Sequence, residues 1–228
     1  MIIGKGLLAQ AFDYYINDDS ILIFASGVSN SREASFKEFD RERKLLEEAI
    51  ISNNSKLFVY FSTCSIEDVS QKKSLYIQHK KNMEDIVKDK CIQYYIFRLP
   101  QVVGIGKSPT IINFFVDSIY NNKSLTIYEK ATRNLISVKD VFKISKIIIE
   151  NNYYLNSIVN IATPFNIPVI KIVNILEKLL NRQVNCEIID LGVEQAINIS
   201  DLESLGIKFD DNYIEKILKS YLIERDIK

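Results

Sequence analysis

The sequence predicts an α/β fold, a doubly wound parallel sheet, and three observations point to it. Short apolar runs of strand length alternate with amphipathic helical stretches along the 228 residues. A glycine turn, Gly4-Lys5-Gly6-Leu7-Leu8-Ala9, follows an apolar start. The run LFVYF at 57–61 carries Ser62 and Thr63 at its end and precedes a helix that presents Tyr76 and Lys80.

Composition narrows the function classes. Lys plus Arg balance Asp plus Glu at 29 each, which gives no electrostatic case for nucleic acid or an anionic membrane as partner. No apolar run approaches the ~18 residues that span a bilayer, and the N-terminus lacks a basic-then-apolar leader, so a cytoplasmic protein is expected. Cys64, Cys91 and Cys186 are odd in number and form no CxxC, which argues against a disulfide framework and a zinc site; no metal is expected. His79, the single histidine, reads as structural or solvated.

Taken in order, Met1 to Ile3 make a very short first strand, and residues 4–9 turn into a helix that continues through Phe12 and Tyr15. Glycine there lets the backbone turn tightly and approach a pyrophosphate at a helix N-terminus, and a plain turn needs the same residues. ILIFA at 21–25 is the next strand, ending in Ser26-Gly27. Over 36–51, Phe36, Phe39, Leu45, Leu46, Ala49 and Ile50 recur at helical spacing against a charged face, and Ser52-Asn53-Asn54-Ser55 forms a loop.

The central strand and the Tyr76 helix, running to about Val87, come next. An apolar strand at 92–99 then leads into Pro100-Gln101-Val102-Val103-Gly104-Ile105-Gly106, where proline and glycine mark a loop. A helix at 111–120 and a strand at 125–128 precede Arg133-Asn134-Leu135-Ile136-Ser137-Val138-Lys139-Asp140, in which Asp140 reads as a helix N-cap. A last strand at 157–162 is followed by Pro168, suited to a first helical turn, and by Val169, Ile172, Val173, Leu176 and Leu180 at helical spacing. A Leu-Gly turn at 201–207 leads to a terminal helix.

Four residues are about one helical turn, so Tyr76 and Lys80 stand on one face. The lysine charge lowers a phenol pKa that starts near ~10, and a threonine can hydrogen-bond the same substrate oxygen. A strand-end hydroxyl, a tyrosine and a lysine so placed are what proton transfer to or from a carbonyl requires.

GKGLLA, FASG, FSTCS, YIQHK, RLPQVVG and RNLISVKD occur in the right order over nearly the whole chain. Together they resemble the short-chain dehydrogenase/reductase superfamily, in its extended branch, the NAD-dependent epimerase/dehydratases of nucleotide sugars. The resemblance implies a Rossmann-like core over 1–125 and mainly a substrate-binding lobe over 126–228, with the strand near 157–162 returning to the core. It implies NAD or NADP as cofactor, held by Gly4, Lys5, Gly6, Leu7, Ala9, Ser26, Gly27, Ser62, Tyr76, Lys80, Leu99 and Pro100, with Arg32 a further phosphate contact. Thr63, Tyr76 and Lys80 would be catalytic, and Thr63, Gln101 and Arg133 would touch a nucleotide-sugar substrate, Arg133 at its diphosphate. A homodimer, paired through the helices at 36–51 and 76–87, is also implied.

Two departures shape the expected activity. Thr63 is followed by Cys64-Ser65 rather than the Asp-Glu of the family's dehydratases, which disfavours dehydration. Only about a dozen residues separate Ala9 from Ile21, too few for the strand, helix and strand that complete an adenosine site. Because parallel crossovers are right-handed, either the first helix changes face or the strand at 21–25 takes the second position. The expected activity is reduction of a nucleotide keto-sugar, favoured over epimerisation. The alternative is a non-catalytic binding or regulatory protein on the same scaffold.

Overall fold

The structure is a computed structural model that describes residues 1–31, 33–68, 73–106, 110–194 and 196–226. Its elements in chain order are β1 (Ile2–Ile3), α1 (Leu7–Ala11), β2 (Ile21–Phe24), α2 (Phe36–Ser52), β3 (Leu57–Thr63), α3 (Leu75–Lys90), β4 (Tyr94–Leu99) and β5 (Gln101–Val103). They continue with α4 (Ile111–Tyr120), β6 (Leu125–Tyr128), β7 (Thr132–Ser137), α5 (Val138–Glu150), β8 (Ser157–Asn160), β9 (Asn166–Pro168), α6 (Val169–Leu180), β10 (Cys186–Ile189), α7 (Ser200–Ser204) and α8 (Tyr213–Asp226).

The chain divides into two compact units. The first, chiefly Met1–Leu99 and Val138–Ile161, is built on a parallel sheet of order β1-β2-β3-β4-β8. Its central strands, β2, β3 and β4, are short and buried on both faces, as a sheet covered by helices requires. Along them alternate residues face opposite ways. Leu22, Phe24, Phe58, Tyr60 and Ile96 pack against Leu46, Ala49 and Ile50 of α2 and Met83 and Val87 of α3. On the opposite face Phe61 meets Phe12 at 4.9 Å between ring centroids, and Phe12 meets Phe142 of α5 at 5.4 Å.

This arrangement resolves the placement of β2. It lies between β1 and β3, so β1 is an edge strand among the described residues. The β1–α1–β2 connection crosses the face opposite to α2 and α3 while the strand order advances in one direction. It therefore has the opposite hand to β2–α2–β3 and β3–α3–β4. The expected first helix is also shorter than its pattern promised: α1 has five residues and passes into a 3-10 turn, Asp13–Tyr15.

The second unit, chiefly Pro100–Ile105 with the described parts of 109–137 and 162–226, holds two small sheets. β6 pairs in parallel with β10; β7 pairs in parallel with β5 and antiparallel with β9. Ile112, Phe115, Val116, Leu125, Leu135, Ile172, Leu176, Ile217 and Leu218 are among its core residues. The turn expected after Pro100 is in part the strand β5, because Val102 and Val103 find ladder partners in Ile136 and Ser137. Asp140, expected as an N-cap, sits inside the first turn of α5, where its charge complements the helix N-terminus. Among the described residues no helix is long and apolar enough to cross a membrane, and no cluster of three metal-ligating side chains occurs.

Candidate active site

β3 ends where its chemistry begins. Its last residues, Ser62 and Thr63, are buried, and the chain then turns through a 3-10 segment, Cys64–Glu67, capped by the Ser65 N–H donating to Thr63 Oγ1 at 3.2 Å. α3 opens with Ser74 at its N-cap and brings Tyr76 and Lys80 to the sheet one turn apart. Tyr76 is 6 % exposed, packs with Val28, Phe39 and Ile77, and its hydroxyl is hydrogen-bonded to the Thr63 side chain. The Ser62 hydroxyl is buried and has no hydrogen-bond partner among the described residues.

Lys80 is 3 % exposed, and sequence reasoning missed what holds it. Its Nζ donates to Glu42 Oε1 at 2.9 Å and to the Tyr60 hydroxyl at 3.1 Å. Tyr60 in turn donates to the same carboxylate oxygen at 2.7 Å. The other oxygen, Oε2, accepts from the Val28 N–H at 2.6 Å and lies 2.9 Å from His79 Nε2. Glu42 is fully buried at the centre of these four partners. His79 is structural: it is buried and stacks on Phe39 at 4.6 Å between ring centroids.

A signal for Glu42 exists in the sequence. Phe39, Glu42, Leu46, Ala49 and Ile50 are the buried residues of α2, so this carboxylate occupies a register position of the apolar stripe. The other acids of the helix lie off it.

Burial pushes the Glu42 carboxyl up, yet the Lys80 charge and the hydrogen bonds from His79, Val28 and Tyr60 outweigh it and bring the pKa down to about 2. Burial, reinforced by the Glu42 charge, drives the Tyr60 phenol well above its ordinary range, so it is a donor. Tyr76 departs from expectation. Burial raises its pKa and the Glu42 charge adds to that, while Lys80 and the Thr63 hydrogen bond lower it less; the net direction is upward. At neutral pH this phenol carries its proton.

The glycine segment gives a mixed result. Gly4 has φ +136, and a Cβ there would lie 2.4 Å from the Ala25 carbonyl oxygen, so the first turn packs tightly on the end of β2. Lys5 and Gly6 are exposed and Ala9 is buried, while nothing lies within 4 Å of a Cβ built at Gly6. Ser26 accepts through its carbonyl from Arg41, and a Cβ at Gly27 would lie 2.7 Å from Lys80 Nζ and 2.9 Å from Glu42 Oε1. Leu99 ends β4, buried. Gly4, Leu7, Ala9, Ser26, Gly27, Ser62, Thr63, Tyr76, Lys80 and Leu99 thus belong to the first unit. Pro100, Gln101 and Arg133 belong to the second, where Gln101 opens β5 and the Arg133 Nη1 donates to the Thr132 carbonyl at 2.7 Å. Arg32 lies outside the described residues.

No family model matches this sequence, and no curated protein matches it. Solved structures do match in shape. A UDP-N-acetylglucosamine 4-epimerase from Methanobrevibacter ruminantium, in complex with UDP-N-acetylmuramic acid, superposes with TM-score 0.74 at 19% identity, over 99% of this chain and 83% of its own. A dTDP-4-dehydrorhamnose reductase from Bacillus anthracis in complex with NADP gives TM-score 0.74 at 15% identity, covering 95% of this chain and 85% of its own. The UDP-glucose 4-epimerase of Thermus thermophilus in complex with NAD gives 0.71 at 13%, over 95% and 82%. This chain therefore has, in a shortened form, the Rossmann-like fold of the extended short-chain dehydrogenase/reductases to which these nucleotide-sugar reductases and epimerases belong.

Proposed function

We propose that the protein is an NAD(P)-dependent enzyme acting on a nucleotide-activated sugar, with reduction of a keto-sugar favoured over epimerisation. The observation that carries the reading is the convergence of Thr63, Tyr76 and Lys80 around the end of β3, beside a buried Ser62 hydroxyl with no partner among the described residues. That orphan hydroxyl, and an ammonium with two of its three N–H groups spent on protein partners, fit the ribose hydroxyls of a nicotinamide nucleoside. Ser26, Gly27, Ser62, Tyr76, Lys80, Leu99 and Pro100 would hold that end of NAD(P), and Gly4, Lys5, Gly6, Leu7 and Ala9 its phosphates. Bound there, NAD(P) supplies or accepts the hydride.

The chain's own residues manage the proton. Thr63 hydrogen-bonds the substrate carbonyl oxygen and orients it towards Tyr76. The raised pKa keeps the Tyr76 phenol protonated at neutral pH, which suits a donor to the oxygen of a carbonyl being reduced. Epimerisation would first need the same group as a base, and this favours the reductive direction. Gln101 and Arg133 keep a proposed role in substrate binding, the guanidinium at the diphosphate.

A second reading, a binding protein on this scaffold, has one observation behind it: β1 is an edge strand, without further strands for an adenosine site among the described residues. Titration with NADH and with NADPH, following nicotinamide fluorescence, separates the two. Saturable binding by the wild type that weakens tenfold or more in Lys80→Ala is the expected result. Binding of neither dinucleotide overturns the enzyme reading and turns the search to UDP-, GDP-, CDP- and dTDP-sugars as ligands.

A further inference from the structure

Glu42 has no part in the chemistry just described, yet its buried carboxylate has four hydrogen-bond partners among the described residues. A carboxylate offers about four acceptor positions, and here all four are taken: two at Oε1, by Lys80 and Tyr60, and two at Oε2, by Val28 and His79. These partners come from different parts of the unit. Val28 follows the turn after β2, Tyr60 lies in β3, and His79 and Lys80 lie on α3, while the carboxylate itself comes from α2. Lys80 and Glu42 form a buried ion pair whose charges cancel, and His79 Nε2 lies 2.9 Å from the second oxygen of the same carboxylate.

The Gly27 contacts show how tightly this is built. A single added methyl would lie 2.7 Å from the ammonium and 2.9 Å from the carboxylate, so the turn backbone lies directly on the ion pair. One carboxylate thereby holds together the turn proposed to touch the cofactor and the lysine proposed to hold its ribose.

We propose that Glu42 is the positioning residue of this site: its carboxylate pins the Lys80 ammonium beneath the Gly27-Val28 turn, fixing lysine and turn as one unit and leaving one N–H of Lys80 for the ligand. The proposal concerns the site assigned above and takes its functional meaning from that assignment. Glu42 acts through Lys80 and touches no substrate. Its charge also offsets the effect of the ammonium on Tyr76 and so keeps that phenol a proton donor. The other charged and titratable groups bearing on the two tyrosines are Lys80 itself and Glu84, whose carboxylate is paired with Arg98 at 2.7 Å. Neither Glu84 nor Arg98 is altered in the test.

The test compares wild type, Glu42→Gln, Lys80→Met and the double variant, without cofactor and with it. In the wild type without cofactor, the Lys80 ammonium gives a slowly exchanging 15N signal at neutral pH. In Glu42→Gln that signal is lost, and the Tyr76 titration, followed by 13Cζ NMR, moves to lower pH because the ammonium is no longer offset. NADH or NADPH binds at least tenfold more weakly to Glu42→Gln, and the double variant binds no worse than Lys80→Met alone, since the first acts through the second. A Lys80 signal and Tyr76 midpoint unchanged in Glu42→Gln overturn the proposal. Should Glu42→Gln not fold, Tyr60→Phe replaces it, removing one donor to the carboxylate and one acceptor of the ammonium; faster Lys80 exchange supports the proposal and unchanged exchange overturns it. If the wild type binds neither dinucleotide, the enzyme reading fails while the NMR arms still decide what Glu42 does.

Discussion

Gly27 and Gly6 look alike in the sequence, both being glycines after short apolar runs, and the structure gives them opposite meanings. At Gly27 a methyl group meets two pinned, buried ionic side chains at under 3 Å, so Gly27→Ala must displace the Lys80–Glu42 pair or the turn above it. Overpacking of this kind costs about 1–3 kcal/mol, and thermal unfolding of the variant should show it. At Gly6, the N-cap of α1, nothing lies within 4 Å of the added atom and φ is negative, so Gly6→Ala should cost under about 1 kcal/mol. Equal losses in the two variants would contradict the crowding at Gly27. The residues of the proposed site were unevenly legible. Tyr76 and Lys80 follow from a spacing of four on one helix, which is local information. Glu42 sits in an apolar register that marks it as unusual, but its partners come from other elements, and no local pattern brings Tyr60, His79 and Val28 to one carboxylate.

At the scale of elements, the same carboxylate joins α2 to α3, and its ionisation is linked to their docking. Its folded pKa, about 2, lies below the ordinary 4.5. A depressed acid contributes stability that is fully present above its unfolded value and is lost as pH falls through the folded one. The contribution is about 3 kcal/mol, and it disappears between about pH 4.5 and pH 2. The stability gap between wild type and Glu42→Gln, measured by urea unfolding, should be constant near neutrality and narrow over that window. A gap independent of pH would mean that Glu42 is not ionised in the folded state. The helices themselves were readable: the apolar spacing at 36–51 and 169–180 matches α2 and α6 closely because each buries one face. Of the short strands of the second unit, β6 was readable at 125–128, where apolar and polar residues alternate, whereas β7 was not, since it begins with Thr132, Arg133 and Asn134, and its identity comes from pairing with β5 and β9. The hand of the first connection was likewise a matter of which helices share a face. α1 is too short for its own pattern to decide that.

For the whole molecule, what matters most is the strand order β1-β2-β3-β4-β8 and the side on which it stops. In a doubly wound sheet ligands sit at the carboxyl ends of the strands where the order reverses, and a dinucleotide spreads over both halves. Here the order advances in one direction from β1, and the strand-end hydroxyls and the Tyr76–Lys80 helix lie on the side of β3 and β4. On the proposed reading, the ordered groups at the ends of β3 and α3 would meet the nicotinamide nucleotide, and an edge strand would face the adenosine. Two consequences follow for binding. Reduced nicotinamide mononucleotide should bind within about tenfold of NADH, a difference of no more than ~1.4 kcal/mol, because the missing half contributes little. NADH and NADPH should bind with nearly equal affinity, since the phosphate that distinguishes them lies on the adenosine ribose. Competition titrations against the mononucleotide measure both. An advantage of NADH well above tenfold would mean that the adenosine is held by groups other than those of a Rossmann-like second half. Comparable affinities would make the cofactor weakly retained and exchangeable between turnovers, as a reductase needs and an epimerase, which must keep the hydride it has taken, does not.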